Sequence, residues 1–284
     1  MLTGIYVPLI TPFSPSGSVD LSAVEKLAHH ALDEGAAGLV ALGTTGEVGA
    51  LTFDERASVI SVCEQVSRER GTPLIVGAPL PEVPVSATAL VTVPAFVRPG
   101  ERGVVAHFQA MAASSPVPIV IYHIPYRTGQ ALSARALVEL AAHPRIVGVK
   151  YATGGVDQDA VELLGASLPD FSVMGGDDVV ISPLLGLGAS GGILASAHLR
   201  TRDFAELAHA WQAGDVARAR ALGHSLAPLS AALFTEPNPT VLKGVLHALG
   251  LIPTASVRLP LLPAQPSSVE KVTQLLDLGA GPDA

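Results

Sequence analysis

Lys150 closes the apolar run Arg145-Ile146-Val147-Gly148-Val149-Lys150, in a chain whose other lysines are Lys26, Lys243 and Lys271. An ammonium group at the end of such a run has two readings. It snorkels to solvent on its methylene stem, or it is desolvated, becomes nucleophilic near neutral pH and condenses with a ketone to an imine. Gly43-Thr44-Thr45-Gly46-Glu47 offers closely spaced backbone N–H groups and two hydroxyls, a cradle for a small carboxylate or simply a tight surface turn. Tyr122 carries a phenol able to exchange a proton, and Arg127 a guanidinium able to hold a carboxylate by two parallel hydrogen bonds. Taken singly, Tyr122 reads more readily as a core aromatic and Arg127 as a solvated charge; their meeting with Lys150 at strand ends reverses that. Gly175-Gly176-Asp177-Asp178 completes the set.

Elements that position these groups alternate along the chain. Short apolar runs at residues 5–13, 38–43, 74–78, 89–94, 118–123, 146–152, 171–177 and 192–196 read as strands, and helical patterns at 21–34, 54–70, 101–113, 133–142, 157–166, 179–187 and 201–213 lie between and after them. Asp20, Thr52 and Ser133 stand where they can cap helices. Strands buried on both faces predict an α/β fold, a closed (β/α)8 barrel. The alternative, an open doubly wound sheet, lacks a Gly-x-Gly-x-x-Gly turn after the first strand. In a barrel the reactive groups sit at the carboxyl ends of the strands, where all four motifs fall.

One connection breaks the alternation. Pro79, Pro81 and Pro84 remove amide donors between the third and fourth strands, so the third helix is expected to be missing and replaced by a short Pro-rich segment. The outward faces of Leu74, Val76, Leu90 and Thr92 then need cover, which predicts an oligomer contact at that edge. Helical patterns at 216–233, 240–248 and 267–278, with a proline-rich connector at 260–266, predict a small C-terminal helical region over residues 214–284, appended to a catalytic barrel over 1–213.

Composition narrows the class. A chain of 284 residues, 49% hydrophobic and 15% charged, can bury a large core, and a net charge of −8 without basic clusters argues against nucleic acid as a partner. The opening residues show no secretion leader and no uncharged run reaches the length of a membrane span, so a cytoplasmic protein without membrane contact is expected. Cys63 stands alone and the nine histidines show no ligand pattern with a nearby acid or cysteine, so no disulfide framework and no metal are expected.

Taken in order, Gly43-Thr44-Thr45-Gly46-Glu47, Tyr122 with Ile124-Pro125-Tyr126-Arg127-Thr128-Gly129, Val147-Gly148-Val149-Lys150 with Ala152-Thr153-Gly154, and Gly176-Asp177-Asp178 resemble the dihydrodipicolinate synthase and N-acetylneuraminate lyase family, Schiff-base class I aldolases on a (β/α)8 barrel. The resemblance runs from Thr3-Gly4 to Glu236-Pro237-Asn238-Pro239 and Arg258-Leu259-Pro260. It implies that Lys150 forms an imine with pyruvate, that Thr44 and Thr45 bind the pyruvate carboxylate, and that Tyr122 relays protons. It further implies that Ile193 presents its backbone carbonyl to the pyruvyl group and that Arg127 grips the carboxylate of the second substrate. No metal or organic cofactor is implied, and a homo-oligomer, dimer or tetramer, is.

Within the family, Thr44-Thr45, Arg127, Gly176-Asp177-Asp178 and Glu236-Pro237-Asn238-Pro239 look like the synthase, which joins pyruvate to aspartate semialdehyde in lysine biosynthesis. His123 and Tyr151, where the synthase has asparagine and glutamate, resemble the lyases instead. A 2-keto-3-deoxy sugar acid aldolase or dehydratase and a neuraminate-lyase-like enzyme therefore stay open, as does a catalytically lapsed barrel with a binding or structural role. The sharpest departure is Phe96, which replaces the tyrosine that in the synthase reaches a neighbouring subunit's proton relay; a phenyl ring carries no proton.

Overall fold

The computed structural model describes residues 1–279. Its centre is a closed barrel of parallel strands in sequence order: β1 (Gly4–Pro8), β2 (Gly38–Ala41), β3 (Leu74–Val76), β4 (Thr88–Thr92), β5 (Ile119–His123), β6 (Ile146–Tyr151), β7 (Ser172–Gly175) and β8 (Gly191–Ile193). The helices around it are α1 (Leu21–Asp33), α2 (Phe53–Arg70), α3 (Glu101–Ser114), the single turn α4 (Pro125–Thr128), α5 (Ala134–Ala141), α6 (Gln158–Gly165), α7 (Ile181–Gly186) and α8 (Ala197–Gln212). After them come α9 (Val216–Leu233), α10 (Thr240–Ala248) and α11 (Pro266–Gly279). The architecture is the expected (β/α)8 barrel with C-terminal helices.

Local chemistry sets the helix starts. Asp20 accepts the Ala23 N–H, Ser133 accepts the Ala136 N–H, and Thr52 forms a reciprocal box with Glu55, each side chain taking the other's backbone N–H. The strand expected at residues 5–13 is shorter. Leu9 N still donates to Val40 O, but Pro12 has no N–H to offer and Phe13 turns aside into an antiparallel bridge with Val19.

Two layers of side chains hold the barrel. Tyr6, Val40, Ile75, Leu90, Val120 and Met174 fill its interior, while outward residues pack under the helices. Leu90 and Thr92 are corrections to the expected outward strip: Ile75 lies opposite Thr88 and Thr92 opposite the inward Tyr122, so strict alternation puts both on the inner face, leaving Ala89 and Val91 on the outer one. Between β3 and β4 there is no α-helix, only the 3-10 turn Leu80–Glu82. Glu82 on this turn accepts two hydrogen bonds from the Arg56 guanidinium of α2, each 2.8 Å, a third going to Leu51 O, and a cavity of about 510 Å³ lined by Val48, Arg56, Pro79, Leu80, Val91 and Met111 remains at this wall. Among the described residues no helix is long and apolar enough to cross a membrane.

Candidate active site

A cavity of about 620 Å³ opens at the carboxyl ends of the strands, and Thr44, Thr45, Tyr122, Arg127, Lys150 and Ile193 all line it. Residues far apart in the chain thus share one space. Register explains the central pair. Tyr122 on β5 lies opposite Lys150 on β6, so both side chains project inward side by side. Lys150 is only 5% exposed and its Nζ sits 4.4 Å from the centroid of the Tyr122 ring, where the ring's negative face attracts the ammonium. The snorkelling reading fails on this geometry, because the amine ends inside the barrel mouth.

Space around the amine is set by backbone. A Cβ on Gly176 would come within 2.9 Å of Lys150 Cγ and Cε, so only glycine lets the chain leaving β7 lie this close to the lysine stem. The two residues that follow it are carboxylates in the cavity wall. Asp178 Oδ2 accepts the Ser196 N–H at 2.6 Å; burial pushes its carboxyl up to about 6, opposed by that hydrogen bond and by the charge of Lys150. Asp177 is likewise raised by burial, opposed by the Gly154 N–H and Lys150, with Oδ2 2.7 Å from Gly154 N.

Thr44–Gly46 forms a 3-10 turn directly after β2. Gly46 N donates to Gly43 O and Glu47 N to Thr44 O, while Thr11 Oγ1 donates to Gly46 O at 2.7 Å from the β1 side. Thr45 Oγ1 accepts from Asn238 Nδ2 at 2.9 Å, so the segment between α9 and α10 reaches over the mouth to the turn. Asn238 and the neighbouring Phe234, Thr235, Glu236 and Pro237 all line the cavity. Sequence reasoning places Asn238 within a motif but not in the site; nothing local to residues 236–239 marks their contact with residue 45.

Arg127 stands exposed on α4, its guanidinium 5.8 Å from the Tyr126 ring at the cavity rim. The loop that carries it is held at both ends. Thr128 Oγ1 donates to Ile124 O, and Leu132 N donates to His123 Nε2 at 3.1 Å. His123 is buried against Tyr151, whose hydroxyl donates to Asp157 at 2.6 Å; desolvation pushes the imidazole down to about 4. Both residues lie on the outer side of the sheet, away from the cavity lining. Phe96 is not in this cavity either: it is 97% exposed, at φ 70°, on the loop after β4. Among the described residues no group of three His, Cys, Asp or Glu side chains is placed to hold a metal.

A family profile described as the dihydrodipicolinate synthetase family matches residues 1–79 and 82–278. The short break falls in the proline turn that stands in place of the third helix. A curated 4-hydroxy-tetrahydrodipicolinate synthase of Thermodesulfovibrio yellowstonii is 35% identical over 289 residues, covering 97% of this chain and 98% of that protein. Among solved structures, the dihydrodipicolinate synthase of Thermotoga maritima matches with a TM-score of 0.92 at 30% identity over 98% of each chain. The chloride-inhibited dihydrodipicolinate synthase of Acinetobacter baumannii, solved in complex with pyruvate, matches with a TM-score of 0.90 at 33% identity, again over 98% of each chain.

Proposed function

Because the chain belongs to the dihydrodipicolinate synthetase family, a family of lyases, we propose that it is a 4-hydroxy-tetrahydrodipicolinate synthase, joining pyruvate to aspartate semialdehyde through an imine on Lys150. The observation that carries this reading is the buried Lys150 amine against the Tyr122 ring, facing a turn of two threonines across one cavity.

The chemistry follows from these positions. Lys150 Nζ adds to the keto carbon of pyruvate and one of its protons passes to the former carbonyl oxygen; that hydroxyl leaves as water with a second proton delivered by Tyr122, and a C=N bond forms. The protonated imine acidifies the methyl carbon, whose proton returns to the Tyr122 phenolate; the resulting enamine carbon bonds to the aldehyde carbon of the second substrate, and Tyr122 passes that proton to the aldehyde oxygen. The imine nitrogen is the electron sink, so the reading assigns no metal or organic cofactor. Thr44 and Thr45 hold the pyruvate carboxylate, the Ile193 carbonyl faces the pyruvyl group, and Arg127 at the rim holds the carboxylate of the incoming aldehyde. With Phe96 in place of the relay tyrosine, the proton passes between Thr44 and Tyr122 through water, which slows the reaction without removing it.

Residues 1–213 act in this reading as the catalytic barrel and 214–279 as an appended helical region, the expected last residues 280–284 lying outside the described residues, in a cytoplasmic homo-oligomer, a dimer or tetramer. Exposed Phe96 supports the oligomer, since it offers apolar surface to a second copy, whereas Leu74, Val76 and Leu90 at the β3 and β4 wall are already buried within one chain.

Treatment with pyruvate and borohydride, then mass mapping, tests the imine: a pyruvyl adduct on Lys150 is expected in the wild type and none in Lys150→Arg. Absence of an adduct from neutral to mildly alkaline pH overturns the proposal in favour of a lapsed barrel. Turnover with aspartate semialdehyde but not with 2-keto-3-deoxy sugar acids or N-acetylneuraminate is the expected substrate pattern, and the reverse pattern moves the chain to the aldolase or lyase branch.

A further inference from the structure

Glu47 ends the Thr44–Gly46 turn at φ 54° and ψ 34°, a left-handed conformation that a side-chain-bearing residue adopts only when its surroundings impose it. Those surroundings come from the C-terminal part of the chain. Glu47 Oε1 accepts from Lys243 Nζ at 2.6 Å and Oε2 from the Arg258 N–H at 2.8 Å, so each carboxylate oxygen is engaged. Lys243 is 0% and Glu47 6% exposed, and neither lines the cavity.

Behind the pair lie Phe13 and Arg258. The Lys243 ammonium sits 4.0 Å from the Phe13 ring centroid and the Arg258 guanidinium 4.5 Å from the same centroid. Arg258 also donates to both Glu55 carboxylate oxygens, at 2.6 and 2.7 Å, and to Ala50 O and Gly17 O at 3.0 Å. Both side-chain anchors at the end of the threonine turn are therefore tied to α10 and to residue 258, while Asn238, just ahead of α10, bonds Thr45 itself.

We propose that Glu47 and Lys243 form a positioning pair for the carboxylate cradle, so that the C-terminal helical region sets the affinity for pyruvate. This holds where Thr44 and Thr45 bind the pyruvate carboxylate, as proposed above. The pair touches no substrate; it holds the end of the turn that carries Thr44 and Thr45. A ligand that must meet several donors at once loses affinity when the donors wander, because ordering them is then charged to binding.

Steady-state kinetics on the full chain test this, with Glu47→Gln/Lys243→Met, which removes both charges at nearly constant volume. The expected result is a KM for pyruvate raised about tenfold or more, with kcat per borohydride-trappable Lys150 site kept within about threefold, the pattern of lost ground-state binding. A pair that served stability alone would lower the fraction of active sites and leave KM where it was. Glu47→Gly/Lys243→Met guards against a folding failure, since glycine accepts φ 54° without strain, and the same rise in KM is expected. An unchanged KM in either folded variant, beside a wild type that forms the pyruvyl adduct, overturns the positioning role alone. A wild type that forms no adduct overturns the proposed function and this role with it.

Discussion

Lys243 offers a thermodynamic test in which stability and affinity move apart. Burial pushes its ammonium down to about 8 from the ordinary 10.5, the attraction of Glu47 offsetting only part of the desolvation. At about 1.4 kcal/mol per tenfold, holding that charge inside costs about 3 kcal/mol at neutral pH. Glu47→Gln/Lys243→Met removes the cost and keeps an oxygen for the Arg258 N–H, while leaving a carboxamide NH2 in the interior, a penalty of about 1–3 kcal/mol. The double variant is therefore expected to equal the wild type or exceed it by up to about 2 kcal/mol. Lys243→Met alone strands the Glu47 carboxylate and is expected to lose about 3–5 kcal/mol. Urea unfolding followed by circular dichroism at pH 7 and pH 9.5 reads both. The sign of the pH effect follows from proton binding: a lysine whose folded pKa lies below its unfolded value leaves the unfolded chain holding more protons between about 8 and 10.5, so wild-type stability climbs with pH in that window. The double variant lacks this group, and its stability relative to the wild type should fall by about 2 kcal/mol between the two pH values. A single variant as stable as the double, or a difference that ignores pH, refutes the assignment of a strained, buried charge.

Two further outcomes follow from other residues. Phe96→Tyr places a phenol where the exposed ring now stands, and if residue 96 reaches a partner's relay, kcat should rise roughly tenfold with little change in the KM for pyruvate; sedimentation shows whether the protein is an oligomer, and an oligomer with unchanged kcat rules the contact out. His123 is buried neutral, pushed down to about 4 by desolvation against the opposing pull of Asp157 and Asp159. The unfolded chain takes up this proton first, so stability is full above about pH 6.5 and declines as pH falls towards 4, by about 3 kcal/mol for this one group. His123→Asn, which removes the titration, should cut the loss of urea stability between pH 7 and 4.5 by nearly that amount, and an equal loss in variant and wild type would contradict it.

Much of the fold was legible because parallel barrel strands are buried on both faces and read as unbroken apolar runs. The missing third helix was legible for a different reason: three prolines remove donors that a helix cannot spare. Where the reading slipped, pairing rather than composition was at stake. Residues 9–13 continue the apolar character of the strand before them, yet only Leu9 finds a barrel partner, and Phe13 is drawn off to Val19. Leu90 and Thr92 were set on the wrong face because a strand's parity is known only once Ile75 is seen opposite Thr88.

The site shows the same division. Lys150 announced itself as an ammonium in an apolar run, and barrel order makes β5 and β6 neighbours, which brings it beside Tyr122. Lys243 carried the same mark: it stands in Thr240-Val241-Leu242-Lys243-Gly244-Val245-Leu246, every residue of which is buried. A lysine there has no route for snorkelling and must meet a carboxylate or lose its proton. Sequence could have raised that demand but not met it, since the partner is Glu47, 196 residues away, reached only after the chain has closed the barrel and returned across its mouth. In the proposed mechanism the two buried lysines have complementary parts. Lys150 faces the cavity and reacts, while Lys243, neutralised by a glutamate, holds the turn against which the reacting carboxylate must lie.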